Sequence, residues 1–418
     1  MTILQKISNG KYDRIVFIGG ILDEKYKDKI EKKLTNFLPH SADIFQKNMI
    51  NGLLENGIRD ITILNSQYVG TFPRYYDGIK VLGKETYYGN ERDIELVDTE
   101  FFNIPFFNKK SRYNNLIRSM KRKCGTREKM LFIVYSLLPH NADIISYIKK
   151  NYPLSKIVLV ITDFPEYMTL NTEDFFSFSK IYHRIDNWIN KNKILRCFSA
   201  VDYYILLSKY MEELIPNIKQ NQICVMEGIL DTNSFDKIKN MQVQCNQKII
   251  VYTGALEENL GIMDLVEAFK SIKSREYQLV IAGNGTCRND IQNEEAKDTR
   301  IHYIGSLDKK DAIKLQISAD ILVCPTRTGI GCSKYAFPCK LLEYLYTGRK
   351  VVATKLECIP KEYESQIIFA EQSIDGLAKA LKKAINMDTV NNIEQIDWIK
   401  KNKSAKEQMK RIIKFVSE

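Results

Sequence analysis

The stretch DILVCPTRTGIGCSKYAFPCKLLEYLYTGRKVVAT, residues 320–354, decides the fold of this 418-residue chain. Its apolar run Ile321–Cys324 predicts a buried strand, after which a polar loop with glycines follows. A helix is predicted next, with Pro338 in its first turn and Gly348 as its C-cap. Another apolar run then predicts a strand. This succession is typical of parallel α/β sheets, and the start of the helix favours an anionic ligand.

The N-terminal half shows the same alternation of strands and helices. Arg14–Ile18 predicts a strand that ends at Gly19 and Gly20, where the lack of a side chain would let a ligand approach the backbone. Ser41–Asn56 has the apolar periodicity of a helix, and Ile61–Leu64 predicts the second strand. These elements together predict a βαβ unit.

The C-terminal half begins in the same way. Lys248–Tyr252 predicts its first strand, which Gly254 follows, and Tyr277–Ala282 predicts the next one. The second strand ends in a loop of small residues, Gly283, Asn284 and Gly285. Two such halves predict an α/β fold of two Rossmann-like domains whose parallel sheets face one another across a cleft.

The length of the chain also favours two domains, because 418 residues exceed one ordinary core. We place the N-terminal domain at residues 1–220 and the C-terminal domain at residues 221–394. Residues 395–418, with Trp398, predict a terminal helix, and the family resemblance given below implies that it crosses back to the first domain. A helix packed wholly on the second domain would have the same sequence pattern.

The opening stretch also resembles a known family. The donor-site signature of retaining glycosyltransferases of family 4, which have the GT-B fold, is similar to Lys334-Tyr335-Ala336-Phe337-Pro338 followed by Lys340, Glu343, Tyr344 and Gly348. In that family two acidic residues bracket seven others, and the second acid holds the ribose hydroxyls of the nucleotide. Glu343 matches the second acid, whereas the first, which touches the transferred sugar, would fall at Tyr335. The residues alone also allow an exposed ion pair between Lys340 and Glu343.

The resemblance implies a nucleotide-diphosphate-sugar donor, held without a metal ion or another cofactor. The donor-binding residues that it implies lie in the strand-end loops and in the signature: Gly19, Gly20, Gly254, Gly283, Asn284, Gly285, Tyr335, Phe337, Pro338, Lys340 and Glu343.

The chain departs from the family in the first loop of the second domain. Family members usually have an arginine and a lysine there, and both grip the diphosphate, whereas this chain has Ala255 and Leu260. A leaving diphosphate needs cations in the transition state. We therefore expect Arg327 and Lys334, from the loop before the Pro338 helix, to replace the usual pair.

On the N-terminal side, polar residues follow two predicted strands. His140 comes after Leu131–Tyr135, and the resemblance implies that it faces the transferred sugar; a hydrogen-bonded loop histidine is the other interpretation. Asp163 and Glu166 follow the strand Lys156–Ile161 and are candidate acceptor contacts, although either residue would also serve as a helix cap.

The net charge of +11 suits nucleic acid, an anionic membrane surface or anionic small substrates. No zinc knuckle, helix-turn-helix or RNA-binding aromatic motif is present, so nucleic acid is the weakest of the three. Residues 108–129 contain nine basic residues and one acid, Glu128, with Leu116, Ile117 and Met120 forming an apolar stripe. This pattern predicts either a solvated helix packed on its domain or a surface for anionic lipid.

The nine cysteines are scattered without metal-ligand spacing, and no stretch has the length of a membrane span or the apolar core of a signal peptide. We therefore expect a cytoplasmic protein with reduced thiols, which the basic helix would allow to sit peripherally on the inner face of the cell membrane.

The resemblance thus implies a retaining, metal-independent glycosyltransferase of the hexosyltransferase type. It would move a sugar from a nucleotide-sugar donor to a saccharide or lipid-linked acceptor in bacterial-type polysaccharide or glycoconjugate assembly. Two alternatives stay open, namely a catalytically silent GT-B partner subunit and a GT-B nucleotide-sugar epimerase.

Overall fold

The chain divides into two compact units. A computed structural model describes residues 11–23, 27–35, 40–89, 91, 94–105, 107–164, 190–239, 248–327, 334–388 and 392–418. Unit 1 comprises Met1–Met226 together with Gln408–Glu418, and unit 2 comprises Glu227–Glu407. The division after Met226 falls a little beyond the predicted boundary at residue 220, and only the end of the predicted terminal helix joins unit 1.

Unit 1 is built on an eight-stranded sheet in the order β10-β9-β8-β7-β1-β2-β5-β4. Its neighbouring strands are parallel except for β4 and β5, which are antiparallel. The strands of unit 1 are β1 (Arg14–Gly19), β2 (Ile61–Asn65), β3 (Lys80–Val81), β4 (Lys84–Tyr87), β5 (Glu95–Asp98), β6 (Phe101–Phe102), β7 (Met130–Tyr135), β8 (Lys156–Ile161), β9 (Tyr203–Leu206) and β10 (Ile223–Val225).

The central strands β1 and β7 are buried at every residue except Arg14, which requires layers on both faces. The described helices on this side of the chain are α1 (Lys27–Glu31), α2 (His40–Glu55), α3 (Asn108–Lys123) and α4 (Pro139–Asn151). The apolar stripe predicted for the basic helix packs inward, because Leu116 and Met120 of α3 are fully buried. Strands β3 and β6 form a separate antiparallel ribbon.

Unit 2 contains a six-stranded parallel sheet in the order β13-β12-β11-β14-β15-β16. Its strands are β11 (Lys248–Ala255), β12 (Tyr277–Asn284), β13 (Ile301–Tyr303), β14 (Ile321–Cys324), β15 (Lys350–Thr354) and β16 (Ile368–Ala370). The helices are α5 (Thr232–Lys239), α6 (Ile262–Lys270), α7 (Arg288–Lys297), α8 (Lys309–Ser318), α9 (Lys340–Tyr346), α10 (Ile374–Asn386) and α11 (Ile393–Lys403).

Alternate residues of β11 point into two separate cores, one on each face of the sheet. Ile250 belongs to a cluster with residues of α6 and α10, whereas Val251 belongs to a cluster with residues of α8 and α9. A parallel sheet was predicted here from the alternation of strands and helices, and the structure confirms it.

The predicted terminal helix is two helices, α11 and α12 (Ala405–Ser417), with Ser404 between them. Trp398 packs in unit 2, where its ring centroid lies 5.1 Å from that of Tyr363. The following segment belongs to unit 1. There the hydroxyl of Tyr12 donates to the carbonyl of Val416 at 3.0 Å, and the rings of Tyr203 and Phe415 meet at 5.3 Å.

A buried ion pair lies in unit 2, close to both points where the chain passes between units. The Lys403 ammonium, 3% exposed, lies 2.8 Å from a carboxylate oxygen of Glu227 and 2.8 Å from one of Glu362. The backbone of Leu230 accepts from Ala405 at 2.7 Å and donates to Lys403 at 3.0 Å.

No disulfide joins the cysteines of the described residues. Within the same residues, no helix has the length and hydropathy that a membrane crossing requires.

The close approach of β11 and β12 leaves no room for a side chain at Gly283, and this can be tested by substitution. A Cβ atom at this residue would lie 1.8 Å from the carbonyl oxygen of Gly254, its register partner. Gly283→Ala should therefore destabilise unit 2 by roughly 2–4 kcal/mol, measured as a lower thermal midpoint. Gly305→Ala is the control, because its backbone is left-handed (φ +76°) but its Cβ would meet no atom within 4 Å. Equal losses in the two variants would contradict the close-packing explanation.

Candidate functional site

The helix that carries the signature is short and is fixed by its tyrosine. Helix α9 begins at Lys340, two residues after Pro338, and Gly348 follows it in the left-handed conformation (φ +76°), as predicted for a C-cap. The hydroxyl of Tyr344 accepts from the backbone N–H of Thr253 at 2.9 Å and donates to the carbonyl of Thr253 at 3.1 Å. These bonds hold α9 against the carboxyl end of β11.

Glu343, the residue next to this anchor, is an oriented carboxylate. One of its oxygens, Oε2, accepts from the Lys340 ammonium at 2.9 Å and from the Gln316 amide at 3.2 Å. Burial alone would raise the pKa of Glu343, but the Lys340 ion pair and the Gln316 hydrogen bond lower it below its usual value. The carboxylate is therefore ionised at neutral pH, and no donor from the described residues reaches its second oxygen, Oε1.

The i, i+3 ion pair considered from the sequence does form, but it is not a fully exposed one. The side chain of Glu343 is 16% exposed and that of Lys340 is 38% exposed. The ion pair therefore orients the carboxylate of Glu343 near the carboxyl end of β11, which is compatible with the predicted ribose contact.

Sequence reasoning missed Gln316. This residue of α8 is fully buried, and its amide nitrogen bridges Thr253 Oγ1, at 2.9 Å, to Glu343. Its amide oxygen has no hydrogen-bond partner among the described residues. The sequence feature that could have identified Gln316 is its position on the inward side of a helix, between the buried Ile313 and Ile317, where an apolar residue would be expected.

The three glycines of unit 2 that were predicted to contact the donor have local structural explanations. Gly254 and Gly283 have φ angles of +159° and +151°, and a Cβ at Gly285 would lie 2.5 Å from the carbonyl oxygen of Leu256. The N–H of Gly285 donates to the side chain of Asn284 at 2.9 Å. The predicted donor contacts of these residues stay predictions, since packing alone accounts for the glycines.

Arg327 is held by two carboxylates. Its guanidinium lies 2.7 and 2.8 Å from the two oxygens of Asp264 and 3.1 Å from Glu258. Its backbone N–H donates to the carbonyl of Asn259 at 3.2 Å. Arg327 therefore reaches the loop between β11 and α6, which contains the uncharged Leu260 where the family usually has a cation. Its charge is already compensated there.

The remaining signature residues fall into two groups. The Lys334 ammonium lies 5.6 Å from the centroid of the Tyr335 ring, and Pro338 accepts from the Leu341 N–H at 2.8 Å as α9 begins. Phe337, in contrast, is 3% exposed and packs on Tyr363 in the core of unit 2. Its predicted role as a donor contact is not supported by this position, because the ring is covered by the protein.

In unit 1, side chains already occupy the glycine loop after β1. The N–H of Gly20 donates to Gln46 Oε1 at 2.8 Å, and a Cβ at Gly20 would lie 2.0 Å from the ring of Tyr68. A Cβ at Gly19 would lie 2.1 Å from Gln46 Oε1. The N–H of Ile21 also donates to a side chain. A phosphate contact at Gly19 and Gly20 would therefore have to displace these acceptors, and it stays a prediction.

His140 lies in the first turn of α4 and not in a loop, and it is 7% exposed. Burial, together with the nearby cations of Arg112 and Lys109, lowers the pKa of His140 to about 3. The imidazole is therefore neutral at physiological pH.

Arg112, beside His140, is itself 4% exposed and stacks 3.5 Å from the centroid of Phe101. It donates to the carbonyls of Ser66, Gln67 and Val69. The buried cation thus fixes the loop after β2.

The candidate acceptor residues are only partly described. Asp163 is exposed and lies two residues after the end of β8. Glu166 lies outside the described residues. No group of three or more His, Cys, Asp or Glu side chains in the described part of the chain is arranged to hold a metal ion.

Comparisons with known proteins agree with this architecture. Residues 247–387, most of unit 2, match the family described as Glycosyl transferases group 1. No curated protein matches the chain in sequence.

Solved structures of glycosyltransferases have a similar fold over nearly the whole chain. Sucrose-phosphate synthase from Thermosynechococcus elongatus has a TM-score of 0.66 at 11% identity, covering 97% of this chain and 100% of that one. HepE from Anabaena, solved in complex with UDP, has a TM-score of 0.61 at 11% identity, covering 97% and 99%. WaaG, a glycosyltransferase involved in lipopolysaccharide biosynthesis, has a TM-score of 0.57 at 12% identity, covering 96% and 98%.

Identities this low establish the fold alone, whereas the family match is confined to unit 2. The chain is a GT-B protein, an α/β fold with parallel sheets in two domains, whose residues 247–387 match the group 1 glycosyltransferases.

Proposed function

We propose that the protein is a retaining glycosyltransferase of the hexosyltransferase type. It moves a sugar from a nucleoside-diphosphate-sugar donor to a saccharide or lipid-linked acceptor in polysaccharide or glycoconjugate assembly. The UDP bound to HepE and the lipopolysaccharide role of WaaG, both properties of those proteins, support this donor and acceptor class. The lack of disulfides among the described cysteines supports a reducing compartment such as the cytoplasm.

The observation that carries the proposal is the geometry of Glu343. It lies in the matched segment, it is ionised, and Lys340 and Gln316 engage the same carboxylate oxygen. The second oxygen is left to accept hydrogen bonds from a ligand. A fixed carboxylate at the end of a parallel sheet suits the two neighbouring hydroxyls of a ribose.

The proposed reaction needs positioning and charge stabilisation more than covalent help from the protein. The bond between the anomeric carbon and the diphosphate oxygen breaks. The acceptor hydroxyl oxygen forms a new bond on the same face of that carbon, and its proton passes to the leaving diphosphate. This sequence retains the anomeric configuration and requires cations near the diphosphate; Lys334, Lys340 and Arg327 are the candidates in unit 2, so we propose a metal-independent reaction.

His140 is proposed to contact the transferred sugar as a neutral imidazole. Because its pKa is about 3, it would donate or accept a hydrogen bond at neutral pH without carrying charge. Asp163 and Glu166 remain proposed acceptor contacts.

One observation favours a second candidate, a catalytically silent partner subunit. The usual cations are replaced by Ala255 and Leu260, and the nearby Arg327 is already paired with Asp264 and Glu258. A protein that binds a partner transferase without transferring sugar would tolerate this loss of diphosphate-binding charge.

Donor binding and the release of free nucleotide test the proposal directly. With a panel of nucleotide sugars, we expect calorimetric binding of at least one donor and slow release of free nucleotide without acceptor. Glu343→Gln should weaken donor binding by about 1.5–3 kcal/mol, because a charge-assisted acceptor is lost. Glu276→Gln, an exposed residue paired with Lys248, is the matched control and should bind as the wild type does. Absence of both binding and nucleotide release would favour the silent subunit.

Gln316 should act on donor binding through Glu343. Gln316→Met keeps the shape but removes a hydrogen bond that lowers the pKa of Glu343, so this pKa should rise. Donor affinity should then fall by roughly tenfold at acidic pH, while most of it returns as the pH rises and Glu343 ionises. The control Gln292→Met changes an exposed residue of α7. A uniform loss at every pH would indicate a packing defect and not a positioning role.

Arg327 and Lys334 test how the diphosphate is held. If they replace the missing pair, Arg327→Gln and Lys334→Gln should each lower turnover at saturating donor by roughly 10²-fold, about 2.7 kcal/mol. Thermal midpoints should be recorded in parallel, since Arg327→Gln also leaves Asp264 without its partner. Wild-type turnover in both variants would refute the replacement and leave Lys340 as the remaining candidate.

A further inference from the structure

Large apolar side chains are exposed unevenly over the described residues. Twelve of them are at least 37% exposed, and half of these lie in one stretch of unit 1. That stretch contains Tyr75, Ile79, Leu82, Tyr87, Phe102 and Phe107. Single exposed apolar residues are ordinary, whereas a cluster indicates a contact surface.

The most exposed members of this cluster lie on or beside the β3–β6 ribbon. Phe102 pairs with Lys80 on its outer side, whereas Val81 and Phe101 point into the protein. Leu82, directly after β3, is 73% exposed. The ribbon is thus a two-stranded element with an apolar inner face and an outer face that also carries apolar side chains.

The ribbon is attached to the beginning of α3. The N–H of Phe102 donates to the hydroxyl of Ser111 at 3.0 Å, and Phe107, 65% exposed, directly precedes the helix. Exposed apolar side chains and the first turn of the basic helix are therefore neighbours.

The charge of α3 is of one sign. Its sequence NKKSRYNNLIRSMKRK contains seven basic residues and no acid. Lys110, Arg118 and Lys121 are exposed, and none of them pairs with a carboxylate among the described residues. Arg122 and Lys123, at the far end, are instead paired with Glu85, and Lys123 also with Glu95. Lys110, Arg118 and Lys121 thus carry the charge that no described carboxylate compensates, and we call the surface that they form the outer side of α3.

We propose that the β3–β6 ribbon and the outer side of α3 dock onto an anionic lipid bilayer. Leu82, Phe102 and Phe107 would enter the interfacial region of the bilayer, and Lys110, Arg118 and Lys121 would contact acidic headgroups. The helix does not insert, because its apolar side is buried in unit 1. This differs from the sequence interpretation, in which the basic helix of residues 108–129 was itself the candidate lipid surface.

The charge pattern favours a bilayer over a second copy of the chain. A symmetric pairing through this surface would bring two all-basic helix faces together, and like charges repel. An acidic lipid surface supplies both the opposite charge and an apolar layer for the ribbon. The proposal goes beyond the proposed transferase activity and depends only on this surface.

Vesicle sedimentation of the whole protein tests the proposal. We expect binding to vesicles of phosphatidylcholine with phosphatidylglycerol, weaker binding at high salt, and little binding to phosphatidylcholine alone. Leu82→Ser and Phe107→Ser should each lower the partition coefficient by about tenfold. Lys110→Gln, Arg118→Gln and Lys121→Gln should each lower it by about fivefold at low salt.

Matched controls lie in unit 2. Ile393→Ser changes a side chain as exposed as Phe107, at 65%, and Lys382→Gln changes an exposed lysine of α10. Both should bind vesicles as the wild type does. Failure of the wild type to bind acidic vesicles, or equal losses in controls and ribbon variants, would overturn the proposal. A concentration-dependent dimer that Phe107→Ser abolishes would also overturn it. Binding is measured without donor or acceptor, so its failure is separate from a failure of sugar transfer.

Discussion

The candidate donor site depends on the hydroxyl of Tyr344, which is bonded to both the N–H and the carbonyl of Thr253. Helix α9 has seven residues, too few to be stable by itself. The tyrosine ring is buried between α9 and β11, so the helix is fixed where the strand ends. The hydroxyl oxygen of Thr253 also accepts a hydrogen bond from the side-chain amide of Gln316, and the same amide nitrogen donates to Glu343. Tyr344 and Thr253 thus fix the helix to the strand end, and Gln316 connects this anchor to the carboxylate.

Much of the fold was predictable because parallel strands buried on both faces leave continuous apolar runs. Ile321–Cys324 and Lys248–Tyr252 were located in this way, and the left-handed Gly348 marked the end of α9. The division of the terminal segment into two helices was harder to predict from the sequence, since the apolar residues of α11 and α12 continue one periodic pattern across Ser404. The periodicity of a helix does not reveal which core its apolar side contacts.

The sequence did not reveal which groups pack against the glycine loops at the strand ends. A glycine at a strand end indicates that something approaches the backbone closely, but it does not say what. At Gly20 the structure places the Tyr68 ring there, and at Gly283 the carbonyl of Gly254. Arg327 is a similar case, because its charge was visible in the sequence while its partner Asp264, 63 residues earlier, was not. Contacts between residues this far apart are decided by packing and leave no local pattern.

The discontinuous make-up of unit 1 has a consequence for biosynthesis. Its first part ends at Met226, yet Val416 and Phe415, which contact Tyr12 and Tyr203, come from the segment after Gln408. Translation at 5–20 residues per second delivers that segment roughly 10–40 s after Met226 has been made. Unit 2, in contrast, is continuous in the chain. Unit 2 is therefore synthesised in full before unit 1 has all its pieces, and the nascent N-terminal sheet must wait with part of its surface uncovered.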